Sequence, residues 1–213
     1  RRRQRQMCIR DSNYYQESGT APGDLKYKDI NGDGQITSED ITDIGNPWPA
    51  FTYGLNLGLS WKFIDFSIFF QGVQGNEVFN EYRKMSHTLY SDYGTTEYAL
   101  NRWTAPGSTN KNFRMDVNDP NGNETKVSSW YIEDGSYFRL KNITLGLTVP
   151  QEWTRKARIS KCRVYVSAQN LLTATKYEGF DPEFSTGSNT AAGIDVGRYP
   201  QNKSVQCGIQ IEF

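Results

Sequence analysis

The stretch Lys203-Ser204-Val205-Gln206-Cys207-Gly208-Ile209-Gln210-Ile211-Glu212-Phe213 alternates without a break. Val205, Cys207, Ile209, Ile211 and Phe213 fall on one side, and Ser204, Gln206, Gly208, Gln210 and Glu212 on the other. A period of two puts every apolar side chain on one face of a β-strand. Gln and Glu on the opposite face require water, so this strand has one dry face and one wet one. Two environments meet that requirement, a half-solvated soluble sheet and a barrel wall, and the rest of the chain separates them.

Working back from this end, four more stretches carry the same period. Tyr53, Leu55, Leu57, Leu59 and Trp61 alternate with Thr52, Gly54, Asn56, Gly58 and Ser60. Ile64, Phe66, Ile68 and Phe70 follow, opposite Asp65, Ser67 and Gln71. Ile143, Leu145, Leu147 and Val149 oppose Asn142, Thr144, Gly146 and Thr148, and Pro150 closes the run because it cannot donate to a ladder. A less polarised run sets Val164, Val166 and Ala168 against Tyr165, Ser167 and Gln169. Strands are therefore expected near 51–61, 64–72, 137–149, 162–171 and 203–213.

The connections sort by length. A tight turn at Lys62 and Phe63 is followed by a long loop from about Gly72 to Ser136, a short link from Pro150 to Cys162, and a long loop from Thr173 to Asn202. Short and long links in strict alternation are the parity of a transmembrane β-barrel, with short periplasmic turns and long extracellular loops. A soluble sandwich has no reason to sort its loops by side, and structureless loops of this length count against a compact domain. A strand of about eleven residues, tilted by ~40°, covers roughly the 25 Å apolar band of such a barrel. Trp61, Phe63, Trp153 and Phe213 would then gather at one interface as an aromatic girdle. The fold class expected is all-β: antiparallel strands forming the carboxy-terminal part of a transmembrane barrel. Five strands cannot close where the smallest such barrels have ~8, so the wall is expected to be incomplete.

Composition narrows the function. Lys plus Arg equals Asp plus Glu at 24 each, and no basic block interrupts the body of the chain, so nucleic acid is not an expected partner. The densest apolar run, Phe66 to Phe70, still contains Ser67 and falls far short of the ~20 residues a helix needs to span a bilayer. Any membrane role must come through strands. Cys8, Cys162 and Cys207 have no metal-ligand spacing and read as small apolar fillers. Residues 1–12, with five arginines in the first ten and no apolar stretch after them, read as a non-native leader and 13–213 as the barrel segment. The alternative for 1–12 is a basic arm for an anionic partner.

One motif carries ligand chemistry. Residues 29–40, Asp-Ile-Asn-Gly-Asp-Gly-Gln-Ile-Thr-Ser-Glu-Asp, match a calcium loop: oxygens from Asp29, Asn31 and Asp33, a glycine at the sixth position (Gly34), the Gln35 carbonyl at the seventh, and Asp40 at the twelfth. Calcium is a hard cation that takes six to eight oxygens, and Thr37 acting through water is the expected sixth donor beside these five. A structural calcium is the expectation, with Asp40 in place of the usual Glu and a short exiting helix over Ser38–Ile44 capped by Ser38. No amphipathic helix enters the loop, so a paired sensor is not expected. A metal-free Asn-Gly-Asp-Gly turn is the alternative.

Several segments in register resemble one family. Gly23-Asp24-Leu25-Lys26-Tyr27-Lys28-Asp29, Ile44-Gly45-Asn46-Pro47, Phe51-Thr52-Tyr53-Gly54 and Phe69-Phe70-Gln71-Gly72 come first. Glu133 to Asn142, Ala168-Gln169-Asn170-Leu171-Leu172 and Tyr177-Glu178-Gly179-Phe180-Asp181-Pro182-Glu183 follow in order. Together they resemble the carboxy end of SusC/RagA proteins, the TonB-linked outer-membrane proteins of Bacteroidetes. The resemblance implies a 22-stranded barrel with an internal plug in the outer membrane, importing glycan fragments or peptides. It also implies energy from the TonB complex, a SusD-like lipoprotein partner, and Phe213 as the signal read by the barrel-assembly machinery. Plug, TonB-contacting segment and earlier strands would lie outside this chain.

Catalysis finds no support in the residues. His87 stands in the long loop near Glu81, Arg83, Lys84 and Tyr90 and reads as a solvated side chain. No Ser/His/Asp set or phosphate-cradling glycine loop is present, and Glu133/Asp134 lead into a strand. An enzyme is not expected. Tyr90, Tyr93, Tyr98, Trp103, Trp130 and Tyr131 are expected to pack against the rim rather than stack on sugars. The second functional reading is a soluble, secreted β-domain whose dockerin-like calcium loop binds protein or carbohydrate.

Overall fold

The computed structural model describes residue 16 and residues 18–89, 94–109, 111–184 and 191–213. The expected leader 1–12, Cys8, Tyr90 and Tyr93 lie outside these. The described strands are β1 (Phe51–Trp61), β2 (Ile64–Gln74), β3 (Glu77–Asn80), β4 (Ile132–Asp134), β5 (Tyr137–Thr148), β6 (Lys161–Thr175), β7 (Ile194–Asp195) and β8 (Ser204–Glu212). The helices are α1 (Glu81–Ser86) and α2 (Gln151–Thr154), with single 3₁₀ turns elsewhere. None of these helices is long and apolar enough to cross a membrane.

The described residues divide into two compact units, one drawn from 46–78, 133–184, 191–193 and 198–213, the other from 16, 18–45, 79–89, 94–109, 111–132 and 194–197. The first holds an antiparallel five-stranded sheet in the order β1-β2-β5-β6-β8. All five strands expected from the alternation are present, and the sheet stays open, with β1 and β8 as its edges. The β1–β2 turn is tight because Lys62 takes the left-handed conformation, φ 53°. The second short link contains α2 and a 3₁₀ turn that ends on Arg158, also left-handed at φ 57°. Both short links lie at one end of the sheet and both long excursions leave from the other.

Two strands run further than expected, β2 to Gln74 and β6 to Thr175. β2 reaches Gln74 because that residue pairs with Phe51, the first of β1, and β6 reaches Thr175 by pairing with Tyr137 beyond a bulge. Phe69 pairs with Asn142 but Phe70 with Leu140, so Lys141 is an extra residue in β5. At the same level β6 passes from Gln169 to Leu172 through Asn170, left-handed at φ 53°. The extra residues reset the parity, so Phe138 and Leu140 join Ile143, Leu145 and Leu147 on one face.

The other unit is built from loops. The expected long loop is not structureless: β3, α1, β4 and 3₁₀ turns interrupt it. Phe79 and Asn80 pair in parallel with Ile194 and Asp195. Its centre is Ala99, Phe113 and Met115, with Leu25, Leu89 and Trp130 packed on them. Polar side chains complete it: Arg114 is bidentate to buried Asp24 at 3.0 Å, and Asn123 donates to Asp24 Oδ1 at 2.9 Å. The Tyr131 hydroxyl, fully buried, donates to the Asn123 carbonyl at 3.0 Å. A buried polar group left unbonded is costly, so this network fixes one arrangement of the segments around Asp24, Arg114 and Asn123.

Candidate functional site

The five-stranded sheet presents two chemically opposite faces, and the register shows how completely. Residues directly opposite one another share a face. One row runs Trp61, Ile64, Leu147, Val164, Ile209 across all five strands; the next runs Leu59, Phe66, Leu145, Val166, Cys207; the third runs Leu57, Ile68, Ile143, Ala168, Val205. Beyond the bulge the face continues with Leu55, Phe70, Leu140 and Leu172. Most of these side chains are uncovered, Leu59 at 68%, Leu145 at 54% and Ile209 at 66%, while Ala168 and Leu140 are buried. Cys207 is exposed within this face rather than filling a gap in a core, which corrects the expectation for it.

Aromatic rings bound the apolar face at both ends. Trp61, Phe63, Trp153 and Phe213 lie at the short-link end and are exposed, as expected for them. At the opposite end Tyr53 stacks on Phe138 with centroids 6.2 Å apart, and Phe70 stacks on Phe138 at 5.2 Å. This second belt was not foreseen, because the bulge that aligns Phe138 with Phe70 leaves no mark in a simple period of two.

The opposite face is polar. Its rows include Gly58, Ser67, Thr144, Ser167 and Gln206, and Asn56, Phe69, Asn142, Gln169 and Ser204. Thr144 Oγ1 donates to Ser167 Oγ at 3.0 Å, and Ser167 is also within 3.3 Å of Asn142 Oδ1. Asp65 of β2 reaches across β5 to Arg163 of β6 in a two-pronged ion pair of 2.9 and 2.5 Å. Gly146 lies beneath them, and a Cβ there would stand 2.4 Å from Asp65 Oδ1. Phe69, which simple inspection assigns no face, lies on this polar side against Gly54.

Above the bulge the same face carries a charge cluster built on a buried pair, Arg139 and Asp181. Arg139 donates from Nε to Thr173 Oγ1, from Nη1 to Glu183 Oε2 at 2.7 Å and from Nη2 to Asp181 Oδ1 at 2.5 Å. Lys141 Nζ donates to both Glu183 oxygens at 2.8 and 2.9 Å. Asp181 Oδ2 accepts the Gln201 amide at 2.8 Å.

The loop at 29–40 is organised by its acidic side chains. Asp29 accepts from the Gly32 and Gly34 amides at 2.6 and 2.9 Å, and Asp33 Oδ1 from the Gln35 amide at 2.8 Å. Asn31 Oδ1 accepts from the Asp33 amide at 3.0 Å. Asp40 accepts from Ile30 and Thr37 amides at 2.7 Å each. Those amide bonds, Thr37 first, hold the Asp40 carboxyl below its ordinary range. Gly34 sits at φ 85°, the turn its sixth position in the motif demands. The expected helix Ser38–Ile44 is corrected to one 3₁₀ turn, Ser38–Asp40, capped by Thr37 rather than Ser38. Asp40 bonds back to the Thr37 amide, and the chain turns extended at Ile41. Among the described residues no group of three His, Cys, Asp or Glu side chains is gathered as a metal site.

His87 is not simply solvated. It ends α1 and stacks on Tyr98 at 4.1 Å, while the Arg83 guanidinium lies 3.8 Å over Trp130. Trp130 meets Phe113 and Tyr131 edge-on, so these loop aromatics pack on one another. Glu133 and Asp134 are strand residues, and Glu133 accepts the Glu178 amide at 2.8 Å.

An open antiparallel wall, apolar across one face, polar across the other and belted by aromatics, defines a segment of a β-barrel. No family model matches the chain. It is 37% identical over 202 residues to TonB-dependent receptor P3 of Formosa agariphila, covering 90% of this chain and 19% of the relative. It is 26% identical over 210 residues to TonB-dependent receptor SusC of Bacteroides thetaiotaomicron, covering 93% and 18%. Among solved structures, the RagAB peptide importer in its closed-closed state superposes with a TM-score of 0.66 at 30% identity, covering 87% of this chain and 20% of that one. These similarities identify the chain as a segment of a TonB-dependent receptor of the SusC/RagA type. It spans about a fifth of the length of the curated relatives it matches. Those relatives are receptors, not enzymes.

Proposed function

We propose that the chain forms the carboxy-terminal wall of an outer-membrane importer, with its apolar rows against lipid and its polar rows lining the lumen. The three apolar rows that cross every strand of an open sheet carry this reading, because a soluble domain would have to cover them. For the same reason the soluble, secreted β-domain is the weaker reading. Transport of glycan fragments or peptides, energy from TonB, a SusD-like lipoprotein cap, and recognition of Phe213 by the assembly machinery belong to this proposal. Its support is the similarity to SusC and to the RagAB peptide importer.

The test is uptake by cells carrying or lacking the full-length receptor. Loss of growth on one glycan or peptide source, with uptake abolished by collapsing the proton gradient, is the expected result. Unchanged uptake on every such source, with the receptor in the soluble fraction, would contradict it.

We also propose a structural calcium at Asp29, Asn31, Asp33, Gln35 and Asp40. Five matching positions and the left-handed Gly34 favour it. Calorimetric titration of the receptor showing no binding at millimolar calcium would remove the metal and leave an amide-bonded turn.

A further inference from the structure

Resting on the barrel reading above, we propose that Asp181-Pro182-Glu183 is a latch that fastens the chain leaving β6 against the lumen wall, with Arg139 and Lys141 as its anchors. Parity fixes the side. Phe138 and Leu140 belong to the apolar face, so Arg139 between them points to the polar one. Asp181 and Glu183 bond Arg139 on that polar side, while Phe138 on the other side stays exposed.

The cluster is built, not incidental. Arg139 is 3% exposed and Asp181 5%, far from the solvated ion pairs of loop tips. Two cations meet two anions, the Arg139–Asp181 pair buried and Lys141 and Glu183 partly exposed at its edge, so the cluster is neutral, and Arg139 directs donors to three separate acceptors. Pro182 has a fixed φ, which holds the two carboxylates in one relative orientation. The second Asp181 oxygen takes the Gln201 amide, so the segment before β8 is drawn to the same point. Tyr177 is buried, and the Glu178 amide is bonded to Glu133, so the segment is held again where it leaves β6. Phe180 and Tyr199 remain exposed, at 53% and 84%. Held this way, residues 177–183 narrow the lumen at the long-loop end; freed, they swing out of it.

The experiment uses the full-length receptor in outer-membrane vesicles, with heat-modifiable gel mobility as the check on barrel assembly. Trypsin added outside should spare Lys176 in the wild type and cut it at least about tenfold faster in Arg139→Gln/Lys141→Gln, because neutralising both anchors leaves two carboxylates without partners. As a second measurement, Glu183→Gln, which leaves the Arg139–Asp181 pair in place and keeps the side chain's shape, should speed the cut by a factor between wild type and the double variant. A heat-modifiable receptor whose wild-type Lys176 is cut as fast as that of both variants overturns the latch alone. A receptor with no heat-modifiable form overturns the barrel reading and the latch with it.

Discussion

Asp65 and Arg163 join β2 to β6 over the backbone of β5, with Gly146 as the gap that lets them meet. One ion pair thereby ties three strands in register on the polar face. Gly146→Val would put carbon within the space of both charged groups and part them. The pair is partly exposed, so its own contribution is about 1 kcal/mol or less. A small fall in the melting temperature of the heat-modifiable band is expected for Asp65→Asn and for Gly146→Val. The swapped pair Asp65→Arg/Arg163→Asp should recover most of the Asp65→Asn loss. Equal stability of all variants would show that the pair holds nothing.

The two faces should respond oppositely to charge. Ile143 lies in the third apolar row, midway along β5, and Thr144 in the polar row beside it. Ile143→Arg is expected to cost about 2–4 kcal/mol of membrane-folded stability, as for arginine at a bilayer midplane, and Thr144→Arg much less. Yield of assembled receptor in the outer-membrane fraction measures the difference.

The loop unit depends on its buried hydroxyl. Tyr131→Phe removes the donor to the Asn123 carbonyl and leaves that carbonyl buried without it, a loss of about 1–3 kcal/mol. Hydrogen exchange should quicken around residues 111–131 and stay unchanged in β5 and β6.

Acid should loosen the 29–40 turn late. Amide bonds depress the Asp40 carboxyl, and a depressed acid contributes stability above its ordinary range that is lost as pH falls through the lowered value. Exchange protection at Ile30 and Thr37 is expected to persist through the ordinary carboxylate range and fail below it. Asp40→Asn should remove this acid step.

Much of this was legible in the chain because a period of two is local. Ser204 to Glu212 and Phe51 to Trp61 show their faces in consecutive residues, and the link lengths sort themselves by end. The bulge was less legible: Phe138 and Leu140 are even, Ile143 and Leu145 odd, and only pairing with β2 shows that one face continues. Asp181 and Glu183 stand forty-two residues from Arg139 and Lys141, respectively, a distance no local pattern spans. The Asp40 turn was read by spacing as metal chemistry. Which oxygens the backbone amides occupy depends on how the chain folds back, so Thr37 rather than Ser38 became the cap.

The orientation of the wall is tested most directly by nitroxide labels at position 145 and, separately, at position 144, in the full-length receptor reconstituted in lipid with Cys8, Cys162 and Cys207 replaced by Ser. The label at 145 should be relaxed chiefly by oxygen dissolved in the bilayer, and the label at 144 chiefly by a water-soluble nickel chelate. Relaxation of both labels by the chelate, or of neither by either reagent, would contradict a wall that is lipid-facing on one side and wet on the other.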